Sequence, residues 1–244
     1  MPFLTFAQNF EDLMLMRGLK NVKNGFYIDV GANHPTDESV TRVFYDAGWS
    51  GINIEPDPVP FAELVKARPR DINLNIGVWS EPCVKTFSIV KDCSALSTTS
   101  DYLMQAHREA GRPMRTVELQ MTDLRTICAR HVKREVHFMK VDVEGVEEHV
   151  FLGHDFKACR PWIILFEACG PDPTATFYLP AHNVVTANNY EDVYFDGLNR
   201  FYVANEKLAE LKHAFLAPPN AYDDWIRYRD IRWAPPGSFP QFGI

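Results

Sequence analysis

Two carboxylates stand early in the chain, where two apolar runs give way to turns. Asp29 lies in the run 26–30, which leads into a turn containing Gly31, and Glu55 ends the second run, 51–55. In a doubly wound fold, such a turn lets backbone approach a ligand, and an acid after the second strand accepts hydrogen bonds from ribose hydroxyls. The pairing therefore predicts that the chain binds an adenosine-type cofactor.

The first turn also indicates the kind of cofactor. Segment 29–35 has Gly31 as its only glycine and lacks the G-x-G-x-x-G fingerprint, whose glycines admit a pyrophosphate. One glycine and a strand-end acid suit a smaller, cationic ligand. Asp29 is therefore predicted to bind the amino-acid end of S-adenosylmethionine (SAM), directly or through water. The alternatives are a local cap at Asp29 and a solvated strand end at Glu55.

A third group of charges lies in the run 137–142 and just beyond it. Lys140, Asp142 and Glu144 alternate with apolar residues, so they share one face of a strand. Charges at the carboxyl end of a central parallel strand break its apolar pattern and predict a site there, with Lys140 neutralising the acids or orienting a substrate. The alternative is that Asp142 or Glu144 caps the following helix while Lys140 reaches solvent.

Two further residues are candidates for a general base. Glu167 ends the run 162–167 at the same edge of the sheet, and His34 follows the first turn. We expect Asp142 or Glu144 to be the base, with His34 and Glu167 as the next candidates. Asp142, Glu144 and Glu167 could together bind a divalent cation, but their spacing does not require one and we predict no metal.

Composition narrows the functional class. The chain has 244 residues and a net charge of −7, which argues against nonspecific nucleic-acid binding because that requires a basic face. No apolar run approaches the roughly 18 residues of a membrane span, and the first residues lack the features of a signal peptide. The five cysteines form no C-x-x-C pair, which predicts free thiols, a cytoplasmic location and no zinc site.

Strand-like runs alternate with helical patterns from residue 26 to about residue 190. The alternation predicts an α/β fold with a mostly parallel sheet and helices on both faces. One helix is predicted from a cap at Thr36 to a stop at Gly48, and another from Pro58 after its cap, Asp57. The predicted strands are 26–30, 51–55, 72–78, 85–90, 116–120, 137–142 and 162–167.

The last two predicted strands of the sheet distinguish between two fold classes. The runs 192–195 and 200–203 flank the segment 196–199, which predicts a β-hairpin with a positive φ at Gly197. A dinucleotide-binding sheet normally ends in another parallel strand. A terminal antiparallel hairpin instead resembles the seven-stranded, Rossmann-like class I fold of SAM-dependent methyltransferases.

We divide the chain into a helical lead-in at 1–25, a SAM-binding domain at 26–205 and an extension at 206–244 that packs on the same domain. Aromatic faces stack on sugars and arginines bind phosphate, so the extension suits a glycan or sugar phosphate. The alternative is a proline-rich tail that wraps the core. The relevant residues are Tyr222, Trp225, Tyr228, Trp233, Phe239 and Phe242, with Arg227, Arg229 and Arg232 between them.

Two other segments have open interpretations. On a lead-in helix, Gln8, Glu11 and Asp12 would share one face, which is either functional or merely solvated. The loop 92–99 is rich in small hydroxyl residues and either closes over a ligand or is a plain surface loop.

The motifs occur in an order that resembles the FkbM family of SAM-dependent methyltransferases. The resemblance covers about residues 6–204 and rests on the ensemble of motifs rather than on any one of them. The motifs lie at 7–12, 27–35, 39–41, 48–51, 53–58, 140–147 and 196–199.

The resemblance implies a SAM site at the residues already singled out, with the chemistry near Lys140, Asp142 and Glu144. Ala7 stands where members commonly have serine, so a hydroxyl contact there is lost or not needed. The residues implied to bind SAM are Asp29, Gly31, Asn33 and Glu55, with Asn75, Ile76 and Gly77, or Thr122 and Asp123, on the adenine side.

Residues and resemblance together predict a SAM-dependent O-methyltransferase with S-adenosylhomocysteine as a product. The family is associated with glycan assembly, so the expected acceptor is a sugar hydroxyl in a glycan or nucleotide-sugar, and a glycosyltransferase is an expected partner. One alternative is an NAD-dependent oxidoreductase or epimerase with a degenerate fingerprint. Another is a non-catalytic scaffold for a glycosyltransferase. The oligomeric state is left open.

Overall fold

Strands and helices alternate along the chain in the computed structural model, which describes residues 2–169, 178–233 and 238. The strands are β1 (Phe3–Thr5), β2 (Phe26–Val30), β3 (Ser50–Ile54), β4 (Ile72–Leu74), β5 (Gly77–Val78), β6 (Cys83–Val90), β7 (Met114–Thr122), β8 (Phe138–Val141), β9 (Ile163–Glu167), β10 (Tyr190–Phe195), β11 (Asn199–Ala204) and β12 (Trp225–Arg227). The α-helices are α1 (Glu11–Leu19), α2 (Arg42–Asp46), α3 (Pro58–Ala67), α4 (Asp101–Glu109), α5 (Leu124–His131), α6 (Glu147–Leu152), α7 (Leu179–Ala187), α8 (Leu208–Leu211) and α9 (Tyr228–Arg232). Short 3-10 helices cover Ser94–Leu96, Asn205–Lys207, Lys212–Phe215 and Ala221–Asp223.

The central sheet has seven strands in the spatial order β10-β11-β9-β8-β2-β3-β4. The five strands β9, β8, β2, β3 and β4 are parallel to their neighbours in this spatial order. Strand β11 is antiparallel to both β9 and β10. This confirms the predicted α/β fold with a mostly parallel sheet. Residues 196–198 join β10 to β11, and Gly197 there has a φ of 98°.

Both faces of the central sheet bury apolar side chains against helices. On one face, Ile28 of β2 belongs to a cluster with Ile127 of α5 and Val150 of α6. On the other, Tyr27 of the same strand belongs to a cluster with Leu15 of α1. Successive residues of a strand point to opposite faces, so the continuous apolar runs seen in the sequence are those of strands covered on both sides.

Two smaller sheets stand beside the central one, in the orders β5-β7-β6 and β1-β12. The run 72–78 was predicted as one strand, and this is wrong. The chain turns at Asn75, whose side-chain Nδ2 donates to the carbonyls of Glu55 (2.8 Å) and Pro56 (2.9 Å), so that β5 leaves the central sheet. The predicted strands 85–90 and 116–120 exist but pair antiparallel with each other as β6 and β7, outside the parallel sheet.

The helix predicted from Thr36 to Gly48 begins later, at α2, so this prediction is wrong at its start. Glu38 has a φ of 57°, which a helix cannot contain. The segment is instead held by Arg68, a fully buried residue whose guanidinium donates to the carbonyl of Pro35 at 2.6 Å and to the hydroxyl of Ser39 at 3.1 Å. A long-range contact therefore overrides the local helical pattern.

The start of α3 agrees with the sequence. Asp57 is its N-cap and accepts a hydrogen bond from the backbone nitrogen of Val59 at 3.1 Å, and Pro58 occupies the first helical position. Among the described helices, none is both long enough and apolar enough to cross a membrane.

The lead-in differs from the predicted helical face. Gln8 precedes α1, while Glu11 and Asp12 open it and are both buried. The Asp12 carboxylate accepts hydrogen bonds from the Thr5 hydroxyl (2.6 Å) and the Phe6 backbone nitrogen (2.8 Å), which fixes the chain that enters the helix. A merely solvated face is therefore the wrong interpretation for these two acids.

Candidate functional site

A cavity of about 890 Å³ runs along the carboxyl ends of the central strands. We call this the main cavity. Its polar edge consists of the residues at the ends of β2, β3, β8 and β9, namely Gly31, Asn33, Glu55, Lys140, Asp142, Glu144 and Glu167. Its apolar wall comes from the small sheet and α4, with Ile76, Phe87, Leu103, Leu119 and Met121. Ligands of α/β sheets bind at this edge, and the volume lies within the range of small-molecule sites.

Glu55 follows β3 directly and is almost fully buried, with 6% of its surface exposed. One carboxylate oxygen accepts from the backbone nitrogen of Asn33 at 2.8 Å and the other from that of Asp57 at 2.7 Å. Burial raises the pKa of Glu55 to about 7. A carboxylate offers about four lone-pair positions, so both oxygens can still accept from a ligand in the cavity.

Gly31 is needed for a contact inside the protein. Its φ is 77°, and a Cβ at this position would lie 1.8 Å from the carbonyl oxygen of Asp142. The backbone nitrogens of Gly31 and Ala32 both donate to the carbonyl of Ile54, at 2.9 and 3.1 Å. The glycine thus brings the ends of β2, β3 and β8 together, and it also lines the main cavity.

Asp29 lies behind the main cavity and is absent from its wall. It is 1% exposed, its Oδ2 accepts from the hydroxyl of Thr41 at 3.0 Å, and its Oδ1 lies 3.6 Å from the Nζ of Lys140. Burial raises the pKa of the Asp29 carboxyl. The structure therefore offers Asp29 as a support for Lys140 and does not place it for direct contact with a ligand in the cavity, which leaves contact through water as the other predicted mode.

Lys140 links Asp29 to the polar edge. Its Nζ lies 3.2 Å from Oδ2 of Asp142 and donates to the carbonyl of Gly31 at 3.1 Å. Burial is the largest single influence on the Lys140 pKa and lowers it, but the carboxylates of Asp142 and Asp29 together raise it above its ordinary value. Lys140 is thus a permanent cation that fixes Asp142 and cannot serve as a base.

Asp142, Glu144 and Glu167 converge on one point of the polar edge. One carboxylate oxygen from each lies within 4.8 Å of the others. Burial, followed by repulsion from Asp142 and Glu167, raises the pKa of Glu144 to about 9, and burial and Asp142 raise that of Glu167 to about 8. Glu144 and Glu167 therefore hold protons near neutral pH, and either can serve as a base only after it has lost its proton at higher pH. The oxygens of the three carboxylates are also ligands of the type that divalent cations use, so the arrangement permits a metal without requiring one.

The loop that carries Glu144 is fixed by two residues that the sequence analysis did not assign. Glu144 has a φ of 57°, and its carbonyl accepts from the hydroxyl of Thr98 at 2.7 Å. Glu147, buried in the first turn of α6, accepts from the backbone nitrogens of Val143 and Gly145, both at 3.2 Å. Glu147 thus holds the loop ahead of α6, and the N-cap of that helix is Val146, which makes no side-chain cap, rather than Asp142 or Glu144. An acid in the first helical turn was the available signal.

His34 is not brought to the main cavity. Its Nδ1 accepts from the backbone nitrogens of Thr36 (3.1 Å) and Asp37 (2.7 Å), and its Nε2 lies 3.6 Å from Glu63. The ring closes the local turn and does not line the cavity. The geometry therefore does not support His34 as a base.

Of the two segments considered for the adenine side, one reaches the cavity. Ile76 and Gly77 line it, whereas Thr122 and Asp123 do not. Asp123 instead caps α5, accepting from the backbone nitrogen of Thr126 at 2.7 Å. The loop 92–99 also contributes to the wall, and its Ser94 hydroxyl donates to the side-chain oxygen of Asn33 at 2.9 Å.

The first and last motifs of the chain meet behind Glu167. Asn199, its partner in the β9–β11 register, donates from Nδ2 to Oε1 of Glu11 at 2.8 Å. Asn9 donates from Nδ2 to the carbonyl of Asp196 at 2.9 Å. Burial raises the pKa of Glu11 to about 8. This network ties α1 to the strand end that carries Glu167, a contact that no local pattern shows.

Comparison with known proteins gives one family. The model of the FkbM methyltransferase domain matches residues 29–199, which is more than half of the chain. No curated protein matches the sequence. The matched range begins at Asp29 and ends at Asn199, so it includes every residue of the polar edge.

Proposed function

The chain belongs to the FkbM methyltransferase family, and we propose that it transfers the methyl group of SAM to a hydroxyl of a sugar. The observation that carries the proposal is the meeting of Glu55 and a proton-accepting carboxylate cluster in one cavity. The first suits a ribose, and the second suits an acceptor hydroxyl. The strand order, in which antiparallel β11 lies between β9 and β10, supports the class I methyltransferase fold.

The residues of the polar edge fit SAM. Bound SAM supplies an electrophilic methyl group on a positively charged sulfur. Glu55 would accept hydrogen bonds from the two ribose hydroxyls with its remaining lone pairs. Ile76 and Gly77 would face the adenine, and Asn33 would lie beside the sugar, since all three line the cavity near Glu55.

The carboxylate cluster would activate the acceptor. An alcohol is a poor nucleophile until its proton leaves, so a base must lie within hydrogen-bond reach. The acceptor hydroxyl would give its proton to Glu144 or Asp142 as its oxygen bonds to the methyl carbon, and the sulfur–methyl bond would break to leave S-adenosylhomocysteine. Lys140 would hold Asp142 in place, with Asp29 behind it as a positioning residue. Glu167 lies at the end of β9, with a carboxylate oxygen close to those of Asp142 and Glu144. It would share the proton that either of these residues takes from the acceptor.

The first test concerns the cofactor. We would measure the melting temperature with S-adenosylhomocysteine and, separately, with NAD. A ligand at 100 times its dissociation constant adds about 2.7 kcal/mol, which is a shift of roughly 5–10 °C for a domain of this size. We expect the shift with S-adenosylhomocysteine alone, and we expect Glu55→Gln to lose most of it. The exposed Glu63→Gln serves as the matched control.

The outcomes separate the competing functions. A shift with NAD alone would replace methyl transfer with redox chemistry, and no shift with either ligand would favour the non-catalytic scaffold. A shift with S-adenosylhomocysteine leads to the second test, which is methyl transfer from labelled SAM to a panel of free sugars and nucleotide-sugars, with amine and thiol acceptors included for comparison. Transfer to an amine or thiol rather than to a sugar hydroxyl would contradict the proposed acceptor class.

A further inference from the structure

A second groove, of about 270 Å³, lies beside the main cavity. Gln8, Asp37 and Glu38 line both spaces, so the groove adjoins the main cavity along these residues. The other side of the groove comes from the start of the chain and from α9. A molecule reacting at the polar edge could therefore extend into it.

The wall of this groove is fixed by contacts between the two ends of the described chain. Strand β12 pairs in parallel with β1, which places Arg227 opposite Thr5. The Nε of Arg17 donates to Asp223 Oδ1 at 2.9 Å, and Ile231 of α9 is buried. The groove is thus built from ordered elements.

Two arginines that line the groove, Arg227 and Arg229, have guanidinium N–H donors available for a ligand. Arg227 lies over the ring of Phe10, 4.2 Å from its centroid, and has no carboxylate within 4.0 Å among the described residues. Among the described residues, Arg229 has one ion pair, in which its Nε lies 4.0 Å from Oδ1 of its neighbour Asp230. Its side chain is 56% exposed. Guanidinium groups that lie beside an open groove, with no carboxylate closer than 4.0 Å among the described residues, suit an oxyanion such as a carboxylate or a phosphate.

Aromatic rings accompany these cations. Tyr228 packs against Phe6 with centroids 5.0 Å apart, and Trp233 is 79% exposed. Both line the groove. Arg232, which lines it as well, is bonded to Asp37 and is therefore neutralised. Phe239 and Phe242, also noted in the sequence, lie outside the described residues.

We propose that this groove binds the part of the acceptor beyond the reacting sugar, and that this part is an anionic saccharide. Its phosphate or carboxylate would lie against Arg227 and Arg229, and its sugar face against Tyr228 or Trp233. The inference rests on the proposed function, since it assumes that the reacting hydroxyl lies at the polar edge. It adds that the acceptor carries an oxyanion, which the main cavity does not require.

The test uses the whole protein with saturating S-adenosylhomocysteine on an array of defined oligosaccharides. The array contains neutral, uronic-acid-containing and phosphorylated oligosaccharides, so that binding to a carboxylate is distinguished from binding to a phosphate. We expect the protein to bind one or both anionic groups, more weakly as salt rises, and to bind the neutral oligosaccharides little. Arg227→Gln/Arg229→Gln should lower the affinity at least about tenfold, because a charge-assisted hydrogen bond is lost at each position.

Two further variants keep the test interpretable. Arg229→Gln alone changes an exposed side chain, so it should fold normally and give part of the loss. Lys20→Gln/Arg130→Gln removes the same charge from exposed positions outside the groove and should bind like wild type. The proposal is overturned if no anionic member binds, if the neutral arm binds as well, or if the control loses as much as the groove variant. S-adenosylhomocysteine binding, measured separately, reports on the proposed function independently of these results.

Discussion

The two walls of the main cavity are built in different ways. The polar edge stands on the ends of parallel strands, where buried charges are held by backbone contacts such as those of Glu55 and Lys140. The apolar wall comes from the mixed sheet β5-β7-β6, the residue just before β5 and the helix α4, and it offers side chains such as Ile76 and Leu103. The difference indicates that methyl transfer depends mainly on the polar edge and that ligand affinity depends mainly on the apolar wall. Substitutions on the two walls should therefore have separable effects.

The largest effect is expected where the polar edge is assembled. Gly31→Ala would place a methyl group 1.8 Å from the carbonyl of Asp142 at a positive φ. Backbone must move on both sides, so we expect a loss of about 4 kcal/mol or more in the free energy of unfolding. Urea denaturation would measure it. Gly111→Ala is the control, since Gly111 also has a positive φ but no neighbour within 4 Å of its added Cβ. Equal losses in the two variants would show that strain alone, and not the contact, sets the cost.

Asp142→Asn should act on turnover. The variant removes a charge from the cluster and from the pair with Lys140 while keeping the shape of the side chain. A base contributes about 10²- to 10⁴-fold, so kcat should fall by that range while S-adenosylhomocysteine affinity changes by less than about tenfold. Steady-state kinetics and calorimetric titration would separate the two quantities. Glu148→Gln on α6 is the control. A collapse of cofactor affinity would make Asp142 a binding residue instead.

Glu144→Gln should raise stability at alkaline pH. The folded-state pKa of Glu144 is about 9 and its ordinary value is 4.5, so the folded form binds more protons than the unfolded form between these values. The wild type must then lose stability as pH rises through that window, whereas the amide does not titrate. We expect the variant to gain about 1–3 kcal/mol over the wild type near pH 9, relative to their difference near pH 4. A difference that is independent of pH in denaturation curves would show that Glu144 ionises freely.

The apolar wall should give the smallest effect. Ile76→Ala removes methyl groups that line the cavity and are partly buried. We expect S-adenosylhomocysteine affinity to fall by about tenfold or less and kcat to stay within about twofold, because this contact is the same in the ground and transition states. Val84→Ala, on an exposed position of β6, is the matched control. A fall in kcat comparable to that of Asp142→Asn would remove the distinction between the walls.

The same contrast explains what the sequence could predict. The strands that form the polar edge have apolar runs with an acid at or beside their ends, and the predicted strands 26–30 and 162–167 lie within a residue of the bounds of β2 and β9. The strands of the small sheet were found too, but periodicity does not say which sheet a strand joins. The start of α2 was missed because Arg68, far along the chain, holds Pro35 in another conformation.

The roles of single site residues were harder to predict than their location. The sequence brought Asp142, Glu144 and Glu167 to one edge, and the structure places them together. It could not show that Asp29 lies behind Lys140, or that the ring of His34 is used by its own turn. The outcome for Asp29 depends on side-chain partners from other elements, such as Thr41 and Lys140. The outcomes for His34 and Glu147 depend on nearby backbone nitrogens in turns whose conformation the sequence pattern does not specify.

The measurement that tests the central claim most directly is the pH dependence of methyl transfer at saturating SAM and sugar acceptor, from about pH 6 to about pH 10. A carboxylate base must be deprotonated to act, and the pKa values of Glu167 and Glu144 are about 8 and about 9. The rate should therefore rise with pH through this window and level off above it. The Asp142→Asn variant should be slower throughout. A rate that is flat or falls with rising pH would contradict Glu144 or Glu167 as the base and would leave Asp142 as the remaining candidate in the cluster.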